Sequence, residues 1–219
     1  MDDKHMSNLL NDSPPAPKPN ETGTVSVQGH IKIFDPETKE VFIDKRNAIH
    51  YENFSMALAQ SISNQTNGPI AEMVFGNGGT RVDSTGIITY LTPNTIGSNA
   101  SLYYQTYAKT VDAKRASSLD PARNFMETRH IAGVAYTDVL VSCLLDFGEP
   151  SDQLAFDNST NSTANGTYVF DELGLKSYSD IPGLGMLLTH VIFHPVQKSL
   201  NRLIQIDYTI RIQSISTGI

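Results

Sequence analysis

Several residue groups in this chain could do chemistry by type and spacing. The run Gly76-Asn77-Gly78-Gly79-Thr80 follows a short apolar stretch, which is where a phosphate-cradling loop would sit. Such a loop needs Lys and Ser or Thr directly after its last glycine, and a helix opening there. Here Thr80-Arg81-Val82-Asp83 follows without helical periodicity, so a tight turn is expected and nucleotide binding is not. His190 and His194 have the i, i+4 spacing of a helical metal pair, but Leu187 to His194 is β-branched and runs into Pro195. On a strand rising ~3.3 Å per residue the two imidazoles stand ~13 Å apart, too far to share one ion. Asp152, Asp157, Asp171 and Glu172 gather around one polar stretch, and a glycosidase would use two such carboxylates at a set separation. Cys143, the single cysteine, lies inside Val139-Leu140-Val141-Ser142-Cys143-Leu144-Leu145 and is expected to be a small buried side chain rather than a nucleophile. No Gly-x-Ser-x-Gly elbow is present. No catalytic, cofactor-binding or metal-ligating residue is assigned, and no cofactor is expected.

The elements that would carry these residues are mostly strands. Val25, Val27, Ile31 and Ile33 alternate with polar residues, Asp35-Pro36-Glu37-Thr38-Lys39 makes a turn, and residues 40–44 return. Residues 24–46 are therefore expected to form a hairpin, with Gly29 at a bulge or close contact. Residues 53–63 change to a helical period through Phe54, Met56, Ala57, Leu58 and Ile62, and the Asn-Gly-Pro-bearing stretch at 64–69 ends the helix. Further strands are expected at 70–75, 86–91, 102–111, 134–147, 167–170, 186–193 and 203–213. In the last, Ile204, Ile206, Tyr208, Ile210 and Ile212 alternate with Gln205, Asp207, Thr209, Arg211 and Gln213, which predicts one core face and one facing water or a partner. The fold class is mainly β: a single β-sandwich or jelly-roll-like domain over 24–219, with one short α-helix and a long polar loop around 151–166.

The rest of the chain is polar and weakly charged. Of 219 residues, 39% are hydrophobic and 18% charged, and the formal net charge is −7. No basic stripe is present. The densest cationic stretch, 109–123, also carries Asp112 and Asp120 and reads as a solvated loop, so no direct nucleic-acid partner is expected. No apolar run reaches the ~18–20 residues that cross a bilayer, and no signal-peptide h-region is visible, so no membrane insertion and synthesis in a cytoplasm are expected. Residues 1–5 look like a cloning remnant ahead of Met6. Residues 6–23, with Pro14, Pro15, Pro17 and Pro19, are expected to be a flexible arm. Asn-x-Ser/Thr triplets such as that at Asn53 are frequent, as chance gives in an Asn-, Ser- and Thr-rich chain without paired cysteines.

The ordered first third resembles tailed-bacteriophage virion proteins. The resemblance rests on Gly29-His30-Ile31-Lys32-Ile33-Phe34-Asp35-Pro36-Glu37-Thr38-Lys39-Glu40-Val41, on Asp44-Lys45-Arg46-Asn47-Ala48-Ile49, and on the helix followed by Ile70 to Thr80. Glu172-Leu173-Gly174-Leu175, residues 187–198 and the final alternating strand resemble the ends of such proteins. It implies a non-enzymatic structural part of a tail, baseplate, neck or fibre attachment, located in the virion and made in the host cytoplasm. Its expected partners are other virion proteins and further copies of itself in a ring. Two other functions stay open. One is a carbohydrate-binding, receptor-recognition module stacking sugars on Tyr90, Tyr103, Tyr104 and Tyr107, although the chain has no Trp. The other is a glycan hydrolase.

Overall fold

A computed structural model describes residues 23–111, 120–150 and 167–216. The arm up to residue 22, the centre of the 109–123 stretch, the 151–166 loop, Asp152 and Asp157 lie outside the described residues. Eleven strands and one helix follow in the order β1 (Gly23–Phe34), β2 (Val41–Ile49), α1 (Tyr51–Ile62), β3 (Ile70–Gly76), β4 (Thr80–Val82), β5 (Ile88–Tyr90), β6 (Gln105–Thr110), β7 (Phe125–His130), β8 (Tyr136–Leu145), β9 (Thr167–Ser177), β10 (Thr189–Ser199) and β11 (Ile204–Ser216). Nine of these make one antiparallel sheet, ordered β6-β3-β9-β10-β2-β1-β11-β8-β7, and β4 pairs with β5 as a separate hairpin. The chain is thus mainly β with one short helix, as expected.

The sheet curls because its two halves meet along a short seam. β10 and β2 share only two residue pairs, Thr189 with Ile49 and His190 with Ala48. The inner faces of both halves then close on one core: Ile31 and Ile33 from β1, Phe75 from β3, Val141 and Cys143 from β8, Phe170 from β9, Phe193 from β10, and Ile206 and Tyr208 from β11. Phe170 stands edge-on to both Phe75 and Phe193, with ring centroids 5.5 and 5.7 Å away. Each such side chain contributes roughly 1.5–3 kcal/mol of transfer free energy. This is the sandwich-like arrangement the alternating strands predict, and β11 shows it most plainly. Ile204, Ile206, Tyr208, Ile210 and Ile212 face the core, while Asp207, Thr209 and Arg211 are only half-covered on the other side.

The first hairpin forms as its sequence dictates. Asp35 Oδ1 accepts the N–H groups of Glu37 (2.8 Å) and Thr38 (3.0 Å), and Lys39 takes the left-handed φ of 66° that closes the turn. The hairpin ladder runs only from Gly29 opposite Asn47 to Phe34 opposite Val41, and the first half of β1, from Gly23 opposite Ser216, pairs with β11 instead. Gly29 marks a close contact rather than a bulge: a Cβ there would stand 1.7 Å from Asn47 Oδ1. β4 and β7 are strands to which the sequence reading assigned no strand. β9 and β10 run on to Ser177 and Ser199, well beyond the predicted 170 and 193, because each passes through a bulge instead of ending.

Candidate functional site

The bulges create the most concentrated polar chemistry among the described residues. On β9 the core-facing residues are Tyr168 and Phe170, then Leu173 and Leu175. The spacing of three from Phe170 to Leu173 shifts the parity of the strand and frees Asp171 and Glu172 from the core face. Both carboxylates, each buried, reach the glycine loop between β3 and β4. Asp171 accepts the N–H groups of Gly79 (2.9 Å) and Thr80 (2.8 Å) and the Thr80 hydroxyl. Glu172 Oε1 accepts from Gly78 N (3.0 Å) and Tyr104 N (2.8 Å), and Oε2 from Tyr103 N (2.9 Å) and His190 Nε2 (3.0 Å). The loop, expected only as a tight turn, thus aims its N–H groups at the protein's own carboxylates. Gly76 and Gly78 are required by this closeness: a Cβ on Gly76 would meet Glu172 Oε1 at 2.5 Å, and one on Gly78 the Tyr104 N at 2.8 Å.

Electrostatics follow from those bonds. Burial is the largest influence on Glu172 and pushes its carboxyl up. The hydrogen bonds from His190 and from the Tyr104 and Tyr103 amides together outweigh it, and the group is held below its ordinary value. Asp171 goes the other way. Burial prevails over the bonds from Thr80 and Gly79, with repulsion from Glu172 added, and its carboxyl is raised. His190 is fully buried between two partners. Its Nδ1 accepts Asn94 N–H at 2.8 Å, which places the proton on Nε2, facing Glu172.

This node fixes the segment 77–104 against the outer face of β3, β9 and β10. Asn94 is tied to His190, Leu91 N donates to Gly79 O at 2.9 Å, and the Tyr103 hydroxyl donates to Thr92 O at 2.7 Å. Residues Tyr90 to Pro93 are thereby held over a cleft of about 310 Å³ at the seam, between β2 and β10. Past His190 and Ala48 the two strands splay, so β2 at 43–47 and β10 at 191–194 face each other unpaired. Lys45 Nζ spans the gap and donates to Ile192 O at 2.9 Å. Arg46 and His194 are exposed at the rim, and the Tyr90 hydroxyl lies 3.3 Å from His194 Nδ1. No carboxylate lines the cleft among the described residues.

Four features that look unrelated in sequence thus converge here: the glycine loop, the Asp171–Glu172 pair, the two histidines and Tyr90. The histidines divide, one buried in the node and one exposed, and no group of three or more His, Cys, Asp or Glu among the described residues could hold a metal ion. Tyr107 separates from the other tyrosines and packs on Phe75, 5.9 Å between centroids, while Tyr90, Tyr103 and Tyr104 are exposed. Cys143 is buried in the core, where burial pushes its thiol up to about 12. Asn53 is buried at the start of α1 and donates to Leu187 O at 2.9 Å, so its triplet is structural. Sequence reasoning missed Lys45, Arg46 and Asn94. The parity shift between Phe170 and Leu173 was the available signal for the node, and a seam between distant strands leaves none. No family model, curated protein or solved structure matches the chain.

Proposed function

We propose that this protein is a non-enzymatic structural component of a tailed-phage particle, acting in the tail, baseplate or neck through contacts with other virion proteins and with further copies of itself. The observation that carries the reading is the β4–β5 hairpin. Its base is pinned by Asp171 and Glu172, and its turn is closed by Asp83, which accepts the N–H groups of Thr85 (2.8 Å) and Ile87 (3.0 Å). This rigid projection nevertheless offers Val82 at 60% and Ile87 at 63% exposure, and Ile96 beyond it at 91%. Apolar groups held out on an ordered turn add nothing to the core and mark a surface that a protein partner covers. The resemblance to virion proteins supplies the particle, and the hairpin supplies the means.

The test is mass in solution by light scattering, at two concentrations, for the protein and its Val82→Ser/Ile87→Ser variant. The expected result is a discrete multiple of 24.0 kDa that falls for the variant. A monomer throughout, unchanged by the substitutions, would count against self-assembly. A second reading, receptor glycan binding, is favoured by the exposure of Tyr90 (51%), Tyr103 (42%) and Tyr104 (52%) on the same excursion. A glycan panel separates the two. Among the described residues nothing comparable favours a hydrolase, since Asp171 and Glu172 are both committed to structural hydrogen bonds.

A further inference from the structure

The cleft at the seam has two properties that the node beneath it does not use. The first is open backbone. β2 pairs with β1 along one edge and β10 with β9, but over 43–47 and 191–194 the edges facing the cleft have no strand partner. The gap has a local cause. The β9–β10 register shifts between Ile192 and Val196, around Pro195, which has no N–H to give a ladder, and β10 turns away from β2. Across the gap, Lys45 Nζ gives Ile192 O the hydrogen that an added strand's N–H would otherwise supply.

The second property is charge. Lys45, Arg46 and His194 stand at the opening, and Arg46 has no hydrogen-bond or ion-pair partner among the described residues. In a protein with a net charge of −7 this is a local cationic site with an unmatched guanidinium. Two carboxylates of the neighbouring strands are already engaged: Asp44 pairs with His30 at 2.8 Å, and Glu172 with His190 and the loop amides. Open strand edges select an extended chain, since backbone hydrogen bonds give affinity and side-chain pockets give specificity. A guanidinium with no partner among the described residues, on the face of β2 that carries His30 and Asp44, selects carboxylates on that chain.

We propose that this cleft is the socket for an extended, acidic segment of a partner protein, which pairs with the open edge of β2 and sets its carboxylates against Arg46, while Lys45 stays bonded across the gap to Ile192 O. The proposal deepens the assembly reading by giving the partner's chemistry, and it rests on that reading only for the partner being a virion protein. Tyr90 to Pro93, held in place by His190 and Glu172, form one wall, so the node's work is to keep the socket shaped.

The experiment uses the full chain and a fluorescein-labelled decapeptide alternating valine with glutamate. A valine–glutamine decapeptide and inorganic phosphate serve as comparisons. Binding is followed by anisotropy and by amide chemical shifts, and mass by light scattering in the same samples. The expected result is binding of the acidic peptide, with shifts concentrated at 43–48 and 190–194. Arg46→Glu and the glutamine peptide should each weaken it by about tenfold or more. Arg46→Glu should leave the solution mass unchanged, so loss of the socket is separated from loss of self-assembly. No binding, or binding indifferent to Arg46→Glu, overturns the proposal and makes Lys45 and Arg46 charges that guard an open strand edge. Phosphate producing the same shifts and displacing the peptide overturns it in favour of a small-anion site.

Discussion

Glu172 accepts four hydrogen bonds, the largest number on one side chain among the described residues. Four donors converge on its two oxygens, three of them backbone amides from Gly78, Tyr103 and Tyr104. A glutamine of the same shape has one acceptor oxygen and would turn its NH2 toward two of those donors. Hydrogen bonds to a charged acceptor contribute ~1.5–3 kcal/mol each, and an orphaned buried donor costs ~1–3 kcal/mol. Glu172→Gln should therefore lower stability by about 3 kcal/mol in urea unfolding and raise amide exchange at Tyr103 and Tyr104 before the core opens. The sign with pH follows from the lowered carboxyl. Its contribution is fully present above the ordinary value of 4.5 and is lost as pH falls through the lower folded value, so the gap between protein and variant should close in acid. None of this is visible in the residue types alone. Asp171 and Glu172 look like one more acidic pair until the parity of Tyr168, Phe170, Leu173 and Leu175 is counted.

At the scale of elements, legibility follows burial. β1 and β11 are legible because each has one buried and one wetter face, and the period shows; α1 keeps its helical period although only Asn53 and Ala57 are buried and Met56, Leu58 and Ile62 are exposed. β7 is not, because it lies at the sheet edge with four of six residues exposed, and edge strands keep polar residues that blunt further pairing. β9 and β10 are half legible, since a bulge resets alternation while the strand goes on. Gly174 shows how tightly the two fit. A Cβ there would stand 2.4 Å from Thr189 O, a backbone atom of the neighbouring strand, and 2.8 Å from Leu187 Cδ1. Strand backbone cannot step aside as a side-chain tip can. Gly174→Ala should therefore cost ~3 kcal/mol or more through forced separation of β9 from β10. Gly23→Ala, with nothing within 4 Å, should stay within ~0.5 kcal/mol of the parent. Urea midpoints of the two variants give the comparison, and equal midpoints would refute it.

For the molecule as a whole, the far end of the sandwich holds a group that makes stability rise with pH. Lys198 is buried on the core-facing parity of β10, two residues beyond Val196, and its ammonium donates to Ser199 O at 2.7 Å. Burial pulls its pKa down from 10.5 to about 8, against the attraction of Glu149 and Asp146. Below about pH 8 the lysine is charged in both folded and unfolded chains, and the cost of burying that charge is constant. Between about 8 and 10.5 the folded chain releases the proton while the unfolded chain keeps it, so stability rises with pH over that window. The gain per pH unit stays below the ~1.4 kcal/mol that one full proton would give, because nearby solvent screens the site. Cys143 opposes it at higher pH. Its thiol ionises at about 9.0 when unfolded but only near 12 when folded, so folding loses ground between those values. Comparison with Lys198→Met removes that opposing effect, because the thiol and the buried tyrosines Tyr168 and Tyr208 are common to both proteins. The variant should be the more stable at pH 7, and the parent should gain on it from pH 8 upward. Parallel curves in urea unfolding from pH 7 to 10 would show that the Lys198 charge keeps its solvent in the folded state. A convergence confined to that window would show that the sandwich carries a buried charge there, as an end later covered by a partner would not require.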